Sequence, residues 1–213
     1  MTEARLRVIV FGAGGHGHVV VDALEAEAAA GRLVEIVAVV DDAPTRQGSD
    51  LAGVPVLSGA RLESIAHDGI IVAIGDSRAR RRVQESLAAR GERLLTVRHP
   101  SAVVSRRAEI DAGTLLCAGA IVGPLARVGA GVILNTGARV DHHCRIGSFV
   151  HIGPGATLAG CVSVGDETLV GMGACLLPGV SIGAGVTVGA GAVIRADVAD
   201  GATVVGVPGR VVP

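Results

Sequence analysis

Seven histidines, at 16, 18, 67, 99, 142, 143 and 151, are the side chains of this sequence best suited to move a proton near neutral pH. Three of them, His142, His143 and His151, fall close together in the second half of the chain. A base of near-neutral pKa on rigid backbone is what acyl transfer to an amine or hydroxyl requires, because the nucleophile sheds a proton as it attacks a thioester. No covalent nucleophile competes, since there is no GxSxG and Cys144 falls where the surrounding repeat turns side chains inward. Apart from histidine every basic side chain is Arg, so a lysine Schiff base and a Walker-type lysine are excluded. A second constellation, Gly12-Ala13-Gly14-Gly15-His16-Gly17, satisfies GxGxxG. There glycines let backbone approach a ligand, and a following helix N-terminus favours an anion such as a pyrophosphate.

The histidine cluster is positioned by a six-residue repeat. Valine, isoleucine or leucine recurs at every sixth position from Val104 to Ile194, and no helix keeps that period. Four residues after each branched position stands a second inward site, mostly small, among them Thr114, Ala120, Ala138, Cys144, Ala156 and Thr168. Two inward sites per hexad describe short strands that turn a corner every six residues, the pattern of a parallel β-helix. Glycines just after the branched residue (Gly123, Gly129, Gly147, Gly153) and two residues further on (Gly119, Gly131, Gly137, Gly155) are expected to supply permissive backbone at the corners. His142 and His143 fall between two inward sites. On a strand, neighbours alternate, which predicts that they point opposite ways. His142 and His151 fall in successive hexads, on adjacent walls, too spread for a tetrahedral metal site within one chain.

The glycine constellation has the flanks of a βαβ unit. Leu6 to Phe11 reads as a strand, Val19 to Leu24 as a helix ending at Gly31, and Glu35 to Val40 as a second strand ending in Asp41-Asp42. Val54 to Leu57 is a short apolar piece, and Ala60 to Ala66 a brief helix. Ile70 to Ile74 is a strand leading to Gly75, and Arg78 to Arg90 a helix that Asp76 or Ser77 caps. Arg78, Arg80, Arg81 and Arg82 read as a solvated helix face. Leu94 to Val97 is one more strand. The pattern then changes, placing a domain boundary near residue 100: an α/β domain over 1-100 and an all-β domain over 101-213, with Gly201 to Pro213 as a terminal cap.

Composition narrows the function classes. The formal net charge of −1 and the absence of Tyr and Trp argue against nucleic-acid binding. No apolar run approaches a membrane span, and the acidic Glu3 and the break at Gly12 do not suit a signal peptide, so the expectation is a cytoplasmic protein without membrane insertion. Cys117, Cys144, Cys161 and Cys175 form no CxxC pair.

Taken together, the glycine loop with Asp41-Asp42, Ala73-Ile74-Gly75-Asp76, His99-Pro100-Ser101-Ala102, Asn135-Thr136-Gly137, His142, Ile146-Gly147 to His151 and Gly206-Val207-Pro208 carry a resemblance. The chain resembles the bacterial sugar O- and N-acyltransferases of the sialic acid O-acetyltransferase family, over nearly its whole length. The resemblance implies a Rossmann-like domain followed by a left-handed parallel β-helix of hexapeptide repeats. It also implies a homotrimer with active sites between subunits, acetyl-CoA as donor, no metal, and a nucleotide-linked amino-sugar, a UDP-sugar foremost, as acceptor. By position, His142 resembles the catalytic base, with His143 beside it. His151, Gly160, Met172 and Ala190 fall where the family contacts acetyl-CoA, and Gly14, Gly15, His16, Asp41, Asp42 and Gly75 match the nucleotide-sugar pocket. The family commonly has Glu or Asp directly after the base, where this chain has His143; a second imidazole stabilises an imidazolium poorly. Two other readings stay open: a nucleotide-sugar-binding protein without catalysis, and a zinc-dependent hydratase like the hexapeptide-repeat carbonic anhydrases.

Overall fold

The computed structural model describes residues 5–212; Glu3 and Pro213 lie outside the described residues. The chain divides into two compact units, Met1–Pro100 and Ser101–Pro213.

In the first unit β1 (Leu6–Phe11) runs into α1 (Gly15–Ala29) and returns as β2 (Val34–Val40). A short β3 (Asp50–Leu51), β4 (Val54–Leu57), a 3-10 turn (Gly59–Ser64), β5 (Gly69–Val72) and α2 (Ser77–Ala89) follow. The sheet order is β3-β4-β2-β1-β5, parallel except for β3 on β4. β1 lies between β2 and β5, and its Val8, Ile9 and Val10 are fully buried, while Arg7 near its start pairs with Asp68 at 2.9 Å. The loops that leave β1, β2 and β5 open at the same strand ends, where α/β sheets bind ligands.

Three expectations are corrected here. The helix begins inside the glycine motif, at Gly15, so Gly17 lies in its first turn; a Cβ on Gly17 would come within 2.5 Å of the Gly12 carbonyl oxygen. Gly12 itself has φ of +118°, open only to glycine. The run of arginines is not a uniformly solvated face either, because Arg80 is 1% exposed. The segment read as a strand at Leu94 to Val97 makes a single bridge, Leu94 to Ile70, before a two-residue strand Val97–Arg98.

The second unit is a three-walled parallel β-helix. Wall one carries the strands at 103–104, 121–122, 139–140, 157–158, 175–176 and 193–194; wall two those at 109–110, 127–128, 145–146, 163–164 and 181–182; wall three includes 115–116, 133–134, 151–152, 169–170 and 187–188. Val122 pairs with Val140, so one coil takes 140 − 122 = 18 residues, three hexads. Branched and small inward residues form one continuous core that includes Cys144, which is fully buried and whose thiol is pushed up chiefly by that burial. A hairpin of Thr203–Val205 and Arg210–Val212 adds to the last coil of wall three.

The two glycine sets differ in purpose. Gly119, Gly131, Gly137 and Gly155 have φ between +63° and +68° and make the corners, as expected. Gly123, Gly129, Gly147 and Gly153 have no such φ. They are glycine because a Cβ would come within 2.7–2.9 Å of backbone atoms in the next coil, as at Gly123 against the His142 amide. No helix among the described residues is long and apolar enough to cross a membrane.

Candidate active site

In the first unit, Gly14, Gly15, His16, Asp41, Asp42 and Gly75 line one cleft of about 500 Å³ at the strand ends. The start of α1 faces it: Gly14 is the N-cap, no side chain caps the helix, and the first turn has no acidic residue, leaving the helix dipole open to an anion. Asp41 has a different task from its neighbour. Asp41 is 6% exposed, and its carboxylate is held by the Ala13 amide at 2.7 Å, the Ala43 amide at 2.8 Å and Arg46 at 3.0 Å. Burial alone would raise this carboxyl, but the two amides and Arg46 outweigh it and hold it below the usual range. Asp41 therefore fixes the glycine loop, whereas Asp42 is exposed and able to accept from a ligand hydroxyl. Gly59 leaves room for it, since a Cβ there would run into the Asp42 carboxylate. Asp42 also lines an adjoining cavity of about 310 Å³ with Arg82 and Arg90.

The parts played by two arginines, one lining this cleft and one behind it, escaped the sequence reading. Arg46 lies over Gly14, its guanidinium 3.2 Å from where a Cβ would stand, and offers the one cation among the cleft-lining residues. Arg80 donates at 2.9 Å to the carbonyls of both Ile74 and Gly75, fixing the loop after β5 from behind; burial pulls its pKa down to about 10. Asp76 caps α2 by accepting from the Ala79 amide at 2.7 Å. No motif marks Arg46, and Arg80 is hidden among neighbouring arginines that face solvent.

In the second unit, His142 and His143 form the corner between walls one and two, and both are exposed. They do not point apart. His143 has φ of +58°, the left-handed turn that ends the strand, and this brings its Nδ1 to 3.1 Å from His142 Nδ1 with the rings edge to face. The alternation rule fails because the pair sits on a turn and not on a strand. Asp141 is engaged elsewhere, accepting from the His142 amide at 2.6 Å. His143 thus stands at the nitrogen that a carboxylate orients in an ordinary base dyad.

Gly160 lies one coil on from His142, 160 − 142 = 18, directly against its ring. A Cβ there would come within 2.6 Å of His142 Nε2, so the absent side chain is what seats the imidazole. The other residues expected at the donor lie elsewhere on the solenoid. His151 is on wall three between Ile133 and Leu169, its Nε2 3.1 Å from Asn135 Nδ2. Met172 and Ala190 occupy the corner after wall three; both are exposed, Met172 at 62%. In one chain, then, the expected set splits between two corners. Cys161, which carried no expectation beyond its lack of a CxxC partner, is the residue after Gly160 and stacks one coil from His143; a spacing of 18 is the signal that finds it.

Comparison with known proteins gives the same two-part order along the chain. The PglD N-terminal domain matches residues 7–87, and the bacterial transferase hexapeptide (six repeats) matches residues 161–196. No curated protein matches the chain. Among solved structures, PerB from Caulobacter crescentus in complex with CoA and GDP-perosamine is 37% identical over 97% of both chains, with a TM-score of 0.90. The acetyltransferase domain of PglB from Neisseria gonorrhoeae FA1090 in complex with acetyl coenzyme A is 40% identical over 98% of this chain and all of that one, with a TM-score of 0.88. A histidine-to-asparagine variant of the Caulobacter perosamine N-acetyltransferase, with CoA and GDP-perosamine, is 38% identical over 97% of this chain and 96% of that one, TM-score 0.88.

Proposed function

We infer the reaction from a firm premise: the chain belongs to the hexapeptide-repeat amino-sugar acetyltransferases, with a PglD-type N-terminal domain and a left-handed parallel β-helix. It is an acetyl-CoA-dependent sugar acetyltransferase. In the finer reading, it transfers the acetyl group to the amine of a nucleotide-linked amino-sugar, with His142 as general base. The observation that carries this is an exposed imidazole seated by a bare Gly160 and oriented at Nδ1 by His143.

His142 accepts the proton at Nε2 as the amine nitrogen attacks the thioester carbonyl carbon, forming the C–N bond and a tetrahedral oxyanion. Collapse breaks the C–S bond and the CoA sulfur leaves, taking back the proton that His142 holds. The products are an acetamido-sugar and free CoA. His143 positions the ring at the place where a carboxylate would stabilise the imidazolium, which a second imidazole does poorly.

In the first unit, the start of α1 and Arg46 would hold the diphosphate, and Asp42 a ribose hydroxyl. The nucleotide is uridine or guanosine diphosphate: the resemblance favours the first, while the Caulobacter enzyme is solved with GDP-perosamine. Since Gly160 and the Met172–Ala190 pair occupy different corners of one solenoid, a homotrimer that brings one chain's His142 corner to a neighbour's Met172 corner completes the donor site. Within one chain His151 stands on wall three with Asn135, apart from the His142–His143 pair, so a three-histidine hydratase site would have to be shared between subunits.

The test incubates the chain with acetyl-CoA and a panel of UDP- and GDP-linked amino-sugars, scoring a mass gain of one acetyl group. One nucleotide series is expected to be acetylated, and His142→Ala to lower kcat by about 10²–10⁴-fold. Binding without acetylation of any acceptor would replace this reading with that of a non-catalytic nucleotide-sugar binder.

A further inference from the structure

The corner that seats His142 also holds a ligand set for a soft divalent cation. One donor atom each from His142, His143 and Cys161 lie within 4.8 Å of one another, and the two Nδ1 atoms are 3.1 Å apart. Tetrahedral zinc, with nitrogen at about 2.0–2.1 Å and sulfur at about 2.3 Å, spaces its ligand atoms roughly 3.3–3.6 Å apart. The imidazole pair is therefore within a few tenths of an ångström of ligand spacing. Backbone holds the set in place. His143 and Cys161 are both left-handed corner residues, with φ of +58° and +62°; their amides donate to the Pro124 carbonyl at 3.1 Å and the His142 carbonyl at 2.9 Å. Two imidazoles and a thiol select zinc and its neighbours over magnesium or calcium.

We propose that His142, His143 and Cys161 bind one zinc-class divalent cation, with water as fourth ligand, and that the bound cation switches acetyl transfer off. The inhibitory half of the proposal rests on the reading of His142 as base. A neutral imidazole has a single available lone pair. A cation on either nitrogen takes it and leaves a proton on the other, so the ring cannot accept one from the acceptor amine. The thiol gives its proton to solvent as it coordinates, and nothing is oxidised or reduced. A carboxylate in place of His143 would present a harder oxygen, so the switch depends on the combination of His143 and Cys161.

Cobalt titration of the metal-stripped protein tests the site without reference to catalysis. The expected result is a thiolate-to-cobalt charge-transfer band in the near ultraviolet that saturates at one ion per chain, in a window clear of Trp and Tyr because the sequence has neither. Cys161→Ser is expected to lose the band, to keep the parent acetyl-transfer rate in chelator, and to need at least about tenfold more zinc for half-inhibition. Absence of the band in the parent, or equal zinc sensitivity of Cys161→Ser, overturns the proposal. If His142→Ala stays fully active while the parent shows the band, the base reading fails and the cation site stands.

Discussion

The glycine-loop cleft and the His142 corner are built on opposite plans. In the cleft, the groups that shape the loops are buried and saturated: Asp41 by two amides and an arginine, and Arg80 by two carbonyls at the back of the Gly75 loop. At the corner the working side chains are exposed, and what holds them is mostly the missing atom at Gly160 and a single contact between two imidazoles. A cleft that is finished within one unit suits tight capture of a large anionic ligand. A bare corner suits chemistry completed by a second surface, which also excludes water from the proton transfer.

The comparison is broken most severely by adding one methyl group. Gly160→Ala is expected to displace the His142 ring and lower kcat by about 10²-fold, since a misplacement near 1 Å costs that much. The melting temperature should hold, because the colliding atoms belong to a solvent-exposed ring that is free to swing away. Steady-state rates and a thermal melt check both halves, and unchanged kcat would mean that the ring position at the corner is immaterial.

A smaller effect is expected in the cleft, and of the other kind. Asp41→Asn leaves the Ala13 or Ala43 amide without its acceptor and should cost about 1–3 kcal/mol of stability, with a raised KM for the nucleotide-sugar and little change in kcat. The sign with pH follows from the depressed carboxyl. Its contribution is present in full above the ordinary carboxylate value and is lost as pH falls through the lower folded-state value. Denaturant melts of parent and variant should therefore converge in acid; a constant gap across pH would remove the charge from the explanation.

The repeat made the solenoid legible residue by residue, because an inward side chain every six positions leaves no other packing for Val122, Val140 and Leu158. It made Cys144 a core residue, whereas Gly160 was expected only as a donor contact and its place against the His142 ring comes from the structure. What stayed hidden depended on local turns and on side-chain contacts between residues five or six apart. His143 meets His142 only because its backbone is left-handed, a conformation that glycine takes at most other corners and that a histidine does not advertise. Arg80 and Arg46 look like surface charges until the fold brings Gly75 and Asp41 to them. The glycines before each corner showed where coils approach, but their cause is close stacking and not turn geometry.

The central claim is that the His142 corner of one chain works with the Met172 corner of another. Co-assembly of His142→Ala chains with Met172→Glu chains tests it directly, Met172 being exposed and so able to accept the charge without unfolding. Each variant alone should be nearly inactive. Random co-assembly should restore roughly a quarter of the parent rate, from interfaces that pair two intact corners. Mixtures no more active than the sum of the separate variants, with both chains folded and assembled, would contradict a shared site.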